Sequence, residues 1–264
     1  MKLSHLELIL SELFPSKYAV EGDKIGLQVN CGDNIVNNIH VAYELTDEVI
    51  NESISLKTDL LIVFHPLIYK PLSEVTFNDR VGNLIIKLIR NNISLYVIHT
   101  IYDTNPKGTN YLIAEKLGLK KVSNLIDYFP EEDIGMGFVG YYENPINAKQ
   151  FLELCHNTFS NPIRYCSCQN KFIKKVVLIG GSGSSFLNSV LKTDTDAFIT
   201  ADNSYHTFHR LKGKIWLIDP GHYEMEQFVA KGIFNVISAH IPKTVNKLTL
   251  SSVNTNPVDY FTNE

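Results

Sequence analysis

Short, continuous apolar runs that alternate with helical patterns are the feature that most constrains the fold of this chain. The runs at 59–64, 93–98 and 175–180 have the length and composition of strands that are buried on both faces of a parallel sheet. Helical periodicity marks residues 3–13, 80–90, 107–117 and 147–159. This alternation predicts an α/β protein with two similar layered α/β domains and mixed or mostly parallel sheets.

A polar stretch at 120–135 interrupts the alternation and predicts a domain boundary. It contains Pro130 and the acidic run 131–133. We therefore predict an N-terminal α/β domain at 1–121 and a C-terminal α/β domain at 122–264, with the option that the last strand and helix pack back on the first domain. A chain of 264 residues that is 44% hydrophobic can form two cores of ordinary size.

The last third of the sequence predicts further strands and helices. The pattern indicates strands at 197–200 and 214–218, and helices at 205–211 and 224–231. The run 234–238 predicts a final strand, and a polar tail follows it.

Composition narrows the class of partner and the compartment. A net charge of -4 and a pI near 6.1 argue against a nucleic-acid partner, because phosphate binding depends on clustered Lys and Arg. No apolar stretch approaches the ~20 residues of a membrane span, and the N-terminus lacks an apolar signal core. We expect a soluble, cytoplasmic protein without a membrane partner. The four cysteines form no paired CxxC set, which indicates reduced thiols.

Three clusters place metal-binding side chains just past apolar runs, where strands should end. They contain His65, then His99 with Asp103, which we expect in a loop, and finally His222 with Glu226 at a helix start. Each cluster alone also fits an ordinary surface pair or core histidine. Together they supply five nitrogen and oxygen donors, close to the number that a two-metal site needs. We predict this site at the C-terminal ends of strands, between the two domains.

A glycine-rich segment, Gly180-Gly-Ser-Gly183, follows one predicted strand and opens a helix. Backbone N–H groups at such a position can bind phosphate. The segment lacks the Gly-Lys-Ser/Thr ending of a P-loop and does not match a dinucleotide fingerprint. A tight strand-to-helix turn is therefore the favoured interpretation.

Several motifs together resemble the family of GTP cyclohydrolase 1 type 2 homologues, also called NIF-three-like. The likeness extends along nearly the whole chain. The motifs that carry it are the segment Asp23 to Val29, His65-Pro66-Leu67, His99-Thr100-x-x-Asp103, Gly108-x-Asn110, Gly180 to Gly183, Ile199-Thr200-x-Asp202 and Gly221-His222-Tyr223-x-x-Glu226.

The resemblance implies a set of metal ligands. In that family the ligands lie in a His-His-Pro motif, the His-Thr-x-x-Asp motif and the Gly-His-x-x-x-Glu motif. Carried over to this sequence, they are His65, His99, Asp103, His222 and Glu226. The first histidine of the His-His-Pro motif is replaced by Phe64, so that one of the two ions should have one donor fewer and bind more weakly. Ala201 and Asn30 also depart from the family pattern, where glycine is usual.

The resemblance further implies two divalent metal ions, a small-molecule or nucleotide substrate and a ring-shaped homohexamer with its metal sites facing an internal cavity. The donors suit zinc, iron or manganese alike. The implied activity is hydrolytic: a water activated by the metal would attack the guanine ring of GTP. Two alternatives stay open, a metal-dependent phosphoesterase and a non-catalytic, metal-binding oligomeric scaffold. No catalytic residue beyond the ligands is predicted.

Overall fold

The computed structural model describes residues 1–261. These residues divide into two compact units. The first comprises Met1–Tyr102 with Val229–Pro257, and the second comprises Asp103–Phe228 with residues 258–261. The chain thus leaves the first unit at Tyr102 and returns to it at Val229. The predicted limits 1–121 and 122–264 differ from these units along the chain and stay a prediction for independently folding domains.

The sheet of the first unit is mostly parallel. Its strands are β1 (Gly26–Val29), β2 (Asn38–Ala42), β3 (Leu60–Val63), β4 (Ser94–Val97) and β11 (Lys247–Leu250). Within residues 1–261 their order is β1-β4-β3-β2-β11. The four strands β4, β3, β2 and β11 run parallel, and β1 pairs antiparallel with β4. The strands β3 and β4 are buried along their whole length, as their apolar runs predict.

Helices pack on this sheet through apolar side chains. They are α1 (Leu3–Leu13), α2 (Asp47–Ser55), α3 (Arg80–Arg90) and α10 (Val229–His240), with the short α4 (Thr100–Asp103) at the division between the units. The helix α2 begins where the Thr46 hydroxyl accepts a hydrogen bond from the Val49 N–H, which satisfies a backbone donor at the helix start. Buried Val49 and Ile50 of α2 pack in one core with Leu84 and Leu88 of α3.

The second unit has a mixed sheet. Its strands are β5 (Lys120–Phe129), β6 (Ile134–Asn147), β7 (Arg164–Cys166), β8 (Phe172–Leu178), β9 (Ala197–Ile199) and β10 (Trp216–Asp219). In the described chain their order is β5-β6-β8-β9-β10-β7. The strands β8, β9 and β10 run parallel, and the other pairings are antiparallel.

The helices of the second unit are α5 (Thr109–Lys116), α6 (Ala148–Phe159), α7 (Leu187–Val190), α8 (Tyr205–Leu211) and α9 (His222–Glu226). Buried Phe151 and Phe159 of α6 pack against Val176 of β8 and Ile199 of β9 in one core. Both units therefore have the α/β architecture with mixed or mostly parallel sheets that the sequence predicts.

The stretch at 120–135 is not an interruption of the fold but part of a long hairpin. Residues 120–129 form β5, which pairs antiparallel with β6 around a turn at 130–133. As an edge strand, β5 receives backbone hydrogen bonds from β6 and needs few buried side chains. Its polar composition therefore conceals it from a search for apolar runs.

The predicted helix at 224–231 covers parts of two helices, and the predicted strand at 234–238 is wrong. The chain forms α9 and then one helix, α10, through both segments. Val229, Ile233 and Ile237 are buried and recur every four residues, so that one helical face packs on the core. The predicted polar tail contains β11, whose pairing partner is β2 near the other end of the chain. None of the helices in residues 1–261 has both the length and the apolar character that a membrane crossing requires.

Candidate metal centre

The parallel strands β3 and β4 place two of the predicted ligands side by side in the first unit. His65 and His99 each lie two residues beyond the end of their strand. The His99 N–H donates to the Phe64 carbonyl at 2.9 Å, so the ladder continues past the strands. The two imidazole rings have centroids 5.8 Å apart in an edge-to-face arrangement. The first unit therefore brings His65 and His99 together.

Asp23 holds the His99 ring in place. The His99 Nδ1 and an Asp23 carboxylate oxygen are 2.6 Å apart. The Thr100 N–H donates to the same carboxylate at 3.2 Å, and the Thr100 hydroxyl donates to it as well. Burial raises the pKa of Asp23, but the hydrogen bonds from His99 and Thr100 outweigh it and lower the pKa to about 2. His99 itself has a φ of 44°, a left-handed conformation that residues other than glycine adopt at a cost.

Aromatic rings surround His65. Phe64, at the position where the resemblance expects a histidine, is only 1% exposed. Its ring stacks on Tyr43 at 5.9 Å and lies 5.0 Å from the His65 ring and 5.6 Å from the His99 ring, measured between centroids. The His65 Nδ1 is 3.8 Å from a carboxylate oxygen of Glu44, an ion-pair distance without a tight hydrogen bond. Phe64 thus fills a space beside both histidines and contributes no donor.

The helix α9 brings together the two predicted ligands of the third cluster, within the second unit. The His222 Nε2 lies 3.1 Å from a carboxylate oxygen of Glu226. Glu226 is buried, and His222 is half-buried. Gly221 precedes the helix with a φ of 101°, which lets the chain turn from β10 into α9. The spacing of four residues therefore places both heads on one face, as predicted.

Asp202 stands behind His222. Its carboxylate lies 2.6 Å from the His222 Nδ1, and Asp202 has a φ of 56°. Burial lowers the pKa of His222, but the hydrogen bonds to Asp202 and Glu226 and the charges of both carboxylates raise it to about 10. The protonated ring of His222 therefore donates from Nδ1 to Asp202 and from Nε2 to Glu226. A divalent cation at Nε2 would have to displace the proton there, because metal ligands bind in their deprotonated form.

The glycine-rich segment packs closely against the side chains of α9. Gly181 has a φ of 61°, and a Cβ there would contact the Glu226 carboxylate and lie 3.0 Å from the His222 Nε2. The Thr200 Oγ1 accepts from the Gly183 N–H at 2.7 Å and donates to the Gly181 carbonyl at 2.8 Å. These bonds support the interpretation of the segment as a tight turn. Only glycine at position 181 leaves room for the two predicted ligands.

Asp103 ends the short helix α4, where the sequence predicts a loop. Asn110 links it to the glycine-rich segment. The Asn110 Nδ2 donates to the Asp103 carbonyl at 2.8 Å, and the Asn110 Oδ1 accepts from the Gly180 N–H at 2.9 Å. The backbone of this predicted ligand is therefore fixed within the second unit.

A carboxylate lies near Nδ1 of all three predicted histidine ligands, at 2.6 Å for His99 and His222 and at 3.8 Å for His65. In each, Nδ1 faces a carboxylate, which is Glu44 for His65, Asp23 for His99 and Asp202 for His222. A carboxylate at Nδ1 orients the imidazole and directs Nε2 toward a metal.

No sequence pattern predicts a role for these three carboxylates. Asp23 and Asp202 lie in motifs of the resemblance, which was their only signal. Glu44 lies outside those motifs, although it follows β2 in the position that His65 and His99 take after their strands.

His40 shows that a histidine beside a carboxylate is not by itself a metal ligand. Its Nδ1 is 2.8 Å from the Thr249 hydroxyl and its Nε2 is 3.1 Å from Glu52, so both ring nitrogens have partners. The side chain is fully buried. His40 is therefore a structural histidine.

The predicted ligands, with nitrogen and carboxylate oxygen donors, fit zinc, iron or manganese.

Comparison with known proteins gives the same family along the whole chain. The profile of the family described as Duf34/NIF3 (NGG1p interacting factor 3) matches residues 1–257. A protein of Clostridium perfringens named GTP cyclohydrolase 1 type 2 homolog is 30% identical over 229 residues, which cover 86% of this chain and 87% of that protein. A protein of the same name from Clostridium acetobutylicum is 31% identical and covers 86% of this chain and 85% of its own length.

A solved structure supports the match at the level of the fold. The crystal structure of Staphylococcus aureus protein SA1388 superposes with a TM-score of 0.87 at 26% identity and covers 99% of each chain. The family profile thus covers the elements that carry the predicted ligands. The chain belongs to the Duf34/NIF3 (NGG1p interacting factor 3) family.

Proposed function

We propose that this protein is a metal-dependent hydrolase that binds two divalent ions and acts on GTP or a related nucleotide. The proposed ligands are His65 and His99 of the first unit and Asp103, His222 and Glu226 of the second. The observation that carries the proposal is the carboxylate at the Nδ1 of each of the three histidines. The names of the clostridial relatives support the choice of GTP as the first substrate to test.

Each residue has a defined task in this proposal. Bound divalent ions would supply Lewis-acid activation of water near neutral pH. Asp23 and Asp202 orient the imidazoles of His99 and His222 through their short contacts. Asp103 and Glu226 would hold the cations through their carboxylates, and Glu226 is buried.

Elemental analysis together with a GTP assay tests the proposal. The purified protein should contain about two divalent ions per chain, and a chelator should abolish the loss of GTP. The products separate the reactions: ring opening changes the guanine absorbance, whereas phosphate release indicates a phosphoesterase. A metal content near zero after growth and purification with added zinc, iron and manganese would contradict every metal-dependent function.

A non-catalytic, metal-binding scaffold is the second candidate, and Phe64 favours it. Its buried ring occupies the position of a family ligand, so one ion has one donor fewer. This candidate predicts that the protein binds metal without consuming GTP. Removal of the metal should then change the oligomeric mass.

We further propose a homohexamer that acts in the cytoplasm, as the family resemblance implies. Light scattering after size exclusion should give a mass near six times the chain mass of 29.9 kDa. A mass near that of one chain would contradict the hexamer. Cell fractionation tests the location.

A further inference from the structure

An open aromatic groove lies in the second unit, at the ends of β7 and α8. It has a volume of about 470 Å³ and is lined by Ile163, Arg164, Tyr165, Tyr205 and Phe208. Tyr205 is 72% exposed and Tyr165 is 51% exposed. Large aromatic side chains with this exposure leave ring faces in contact with solvent, where a planar ligand can stack. None of these side chains belongs to the predicted metal ligands.

Arg164 gives the groove a cationic end. Its Nη2 donates to the Asp219 carboxylate and, at 3.4 Å, to the Asn203 carbonyl, and the guanidinium lies 5.4 Å from the Phe208 ring centroid. Among the described residues, its Nη1 and Nε make no hydrogen bond, and its side chain is 62% exposed. The guanidinium can therefore still present donors to an oxyanion, in the planar geometry that suits phosphate.

The segment that supplies Tyr205 and Phe208 to the groove is basic in sequence. Residues 203–218 include Arg210, Lys212 and Lys214 and no acidic residue, although the chain has a net charge of -4. The three basic side chains are exposed. The acidic group that contacts Arg164, Asp219, is buried and already paired with it. The groove thus combines two exposed tyrosine rings with the guanidinium of Arg164, which is paired on one side with Asp219.

The groove is connected to a candidate metal ligand of the second unit through two neighbouring residues, Asn203 and Asp202. Arg164 contacts the carbonyl of Asn203, and the preceding residue, Asp202, orients His222. A ligand in the groove would therefore lie next to the residues that hold His222.

We infer that this groove binds a nucleoside phosphate, with the base stacked on Tyr205 and Tyr165 and the phosphates bound by Arg164. Aromatic stacking accepts every base, whereas the cation requires an anionic ligand. The volume lies within the range of small-molecule sites, roughly 300–1,000 Å³. This inference rests on the proposed function because it names the substrate class, but the binding step does not require a metal.

The single tryptophan of the sequence reports on this groove. Trp216 is buried, and its ring stacks on Tyr165 with centroids 6.0 Å apart and planes inclined by 18°. A base that stacks on Tyr165 should therefore quench the tryptophan fluorescence. The test is a fluorescence titration of the full chain with GTP, guanosine and tripolyphosphate, with a chelator present throughout.

Three variants sharpen the titration. Tyr205→Ala should weaken the binding of GTP and of guanosine on the order of 10-fold, because one stacking face is lost. Arg164→Gln should weaken GTP binding and leave guanosine binding nearly unchanged. Tyr128→Ala removes an exposed tyrosine of β5 outside the groove and should change neither. Thermal unfolding of each variant shows whether it still folds, and exposed Tyr205 can be removed without creating a cavity.

Four results would overturn the inference: no quenching by GTP, equal affinity in Tyr205→Ala, quenching by tripolyphosphate but not by guanosine, or much tighter binding of a single-stranded oligonucleotide. A smaller oligomeric mass in Tyr205→Ala would instead make the groove an interface between copies. The metal content separates this test from the proposed function. If the protein contains no metal but GTP still quenches the fluorescence, the metal-dependent hydrolase is refuted and the binding groove is supported. If the protein contains metal but GTP causes no quenching, the binding groove is refuted and the proposed function still stands.

Discussion

His65 of the first unit and His222 of the second unit are held by different means, although His99 of the first unit faces Asp23 at 2.6 Å. In the second unit His222 lies between two carboxylates, at 2.6 Å from Asp202 and 3.1 Å from Glu226. In the first unit His65 packs against the rings of Tyr43 and Phe64, and its nearest carboxylate, Glu44, is 3.8 Å away. Charge therefore positions one imidazole, and aromatic packing positions the other. Under the proposed function, we therefore expect His222 to contribute more to the metal affinity than His65.

Removal of His222 is the strongest test of that difference. His222→Ala should lower the affinity for divalent metal by more than about 100-fold, beyond the 10- to 100-fold loss that follows from losing a residue behind a ligand. Equilibrium dialysis with elemental analysis measures it. His240→Ala removes an exposed histidine of α10 and should leave the affinity unchanged. Equal metal content in both variants would contradict the assignment of His222.

Gly181→Ala tests whether the second unit depends on close packing around its ligands. The change adds a methyl group against Glu226 and His222 and strains a left-handed backbone, so both metal binding and stability should fall. Gly213→Ala is the matched control, since Gly213 has a φ of 82° and open space around it. Chemical unfolding should show a loss of about 1–2 kcal/mol in both variants from the backbone alone. Loss of metal binding should occur only in Gly181→Ala.

The carboxylates behind the histidines allow a direct comparison between the units. Asp202→Asn should lower metal affinity by about 10- to 100-fold, because the His222 ring loses its charged partner. Glu44→Gln should have a smaller effect, because Glu44 is farther from His65 than hydrogen-bonding distance. Isothermal titration with zinc measures both. A larger loss of metal affinity in Glu44→Gln than in Asp202→Asn would reverse the expected order of His222 and His65.

Phe64→His should add a metal donor to the first unit and so make its proposed metal affinity more like that of the second unit. The new imidazole would lie beside the rings of His65 and His99 and supply the donor that the family motif contains. We expect a several-fold gain in the affinity of the weaker ion, measured by metal titration. Phe64→Leu is the control, since it alters the packing without adding a donor and should give no gain. Unchanged occupancy in Phe64→His would mean that position 64 does not face the ions.

The pair of His40 and Glu52 gives the smallest expected effect on stability. It is a histidine–carboxylate pair that we do not expect to bind metal. Burial raises the pKa of Glu52, but hydrogen bonds from Ser251, Ser252 and His40 outweigh it and hold the pKa below its ordinary value of 4.5. The stabilisation from ionised Glu52 is therefore complete above about pH 4.5 and is lost as the pH falls through the lowered pKa.

Glu52→Gln should therefore lower the free energy of unfolding by about 1 kcal/mol at neutral pH, and the difference from the unmodified protein should shrink in acid. Urea unfolding at several pH values measures it. Metal content should not change, because both nitrogens of His40 already have partners. A loss of metal in this variant would contradict the structural role of His40.

The sequence by itself determined the α/β architecture, most of the buried strands and the local pairing of His222 with Glu226. These features depend on short-range patterns: apolar runs set the strands, and a spacing of four residues sets one helical face. The bounds of α1 and α3 agree with the helical periodicity for the same reason.

Only the tertiary structure decided the positions of two strands and of the carboxylates that face the histidines. The strand β11 is short, lies in a polar segment, and forms because β2, distant in the sequence, supplies its hydrogen bonds. The edge strand β5 depends in the same way on β6. Glu44, Asp23 and Asp202 face histidines that are 20 to 76 positions away, a relation no local pattern records. Backbone pairing and packing bring such residues together after the chain folds, so their roles could be read only from the folded molecule.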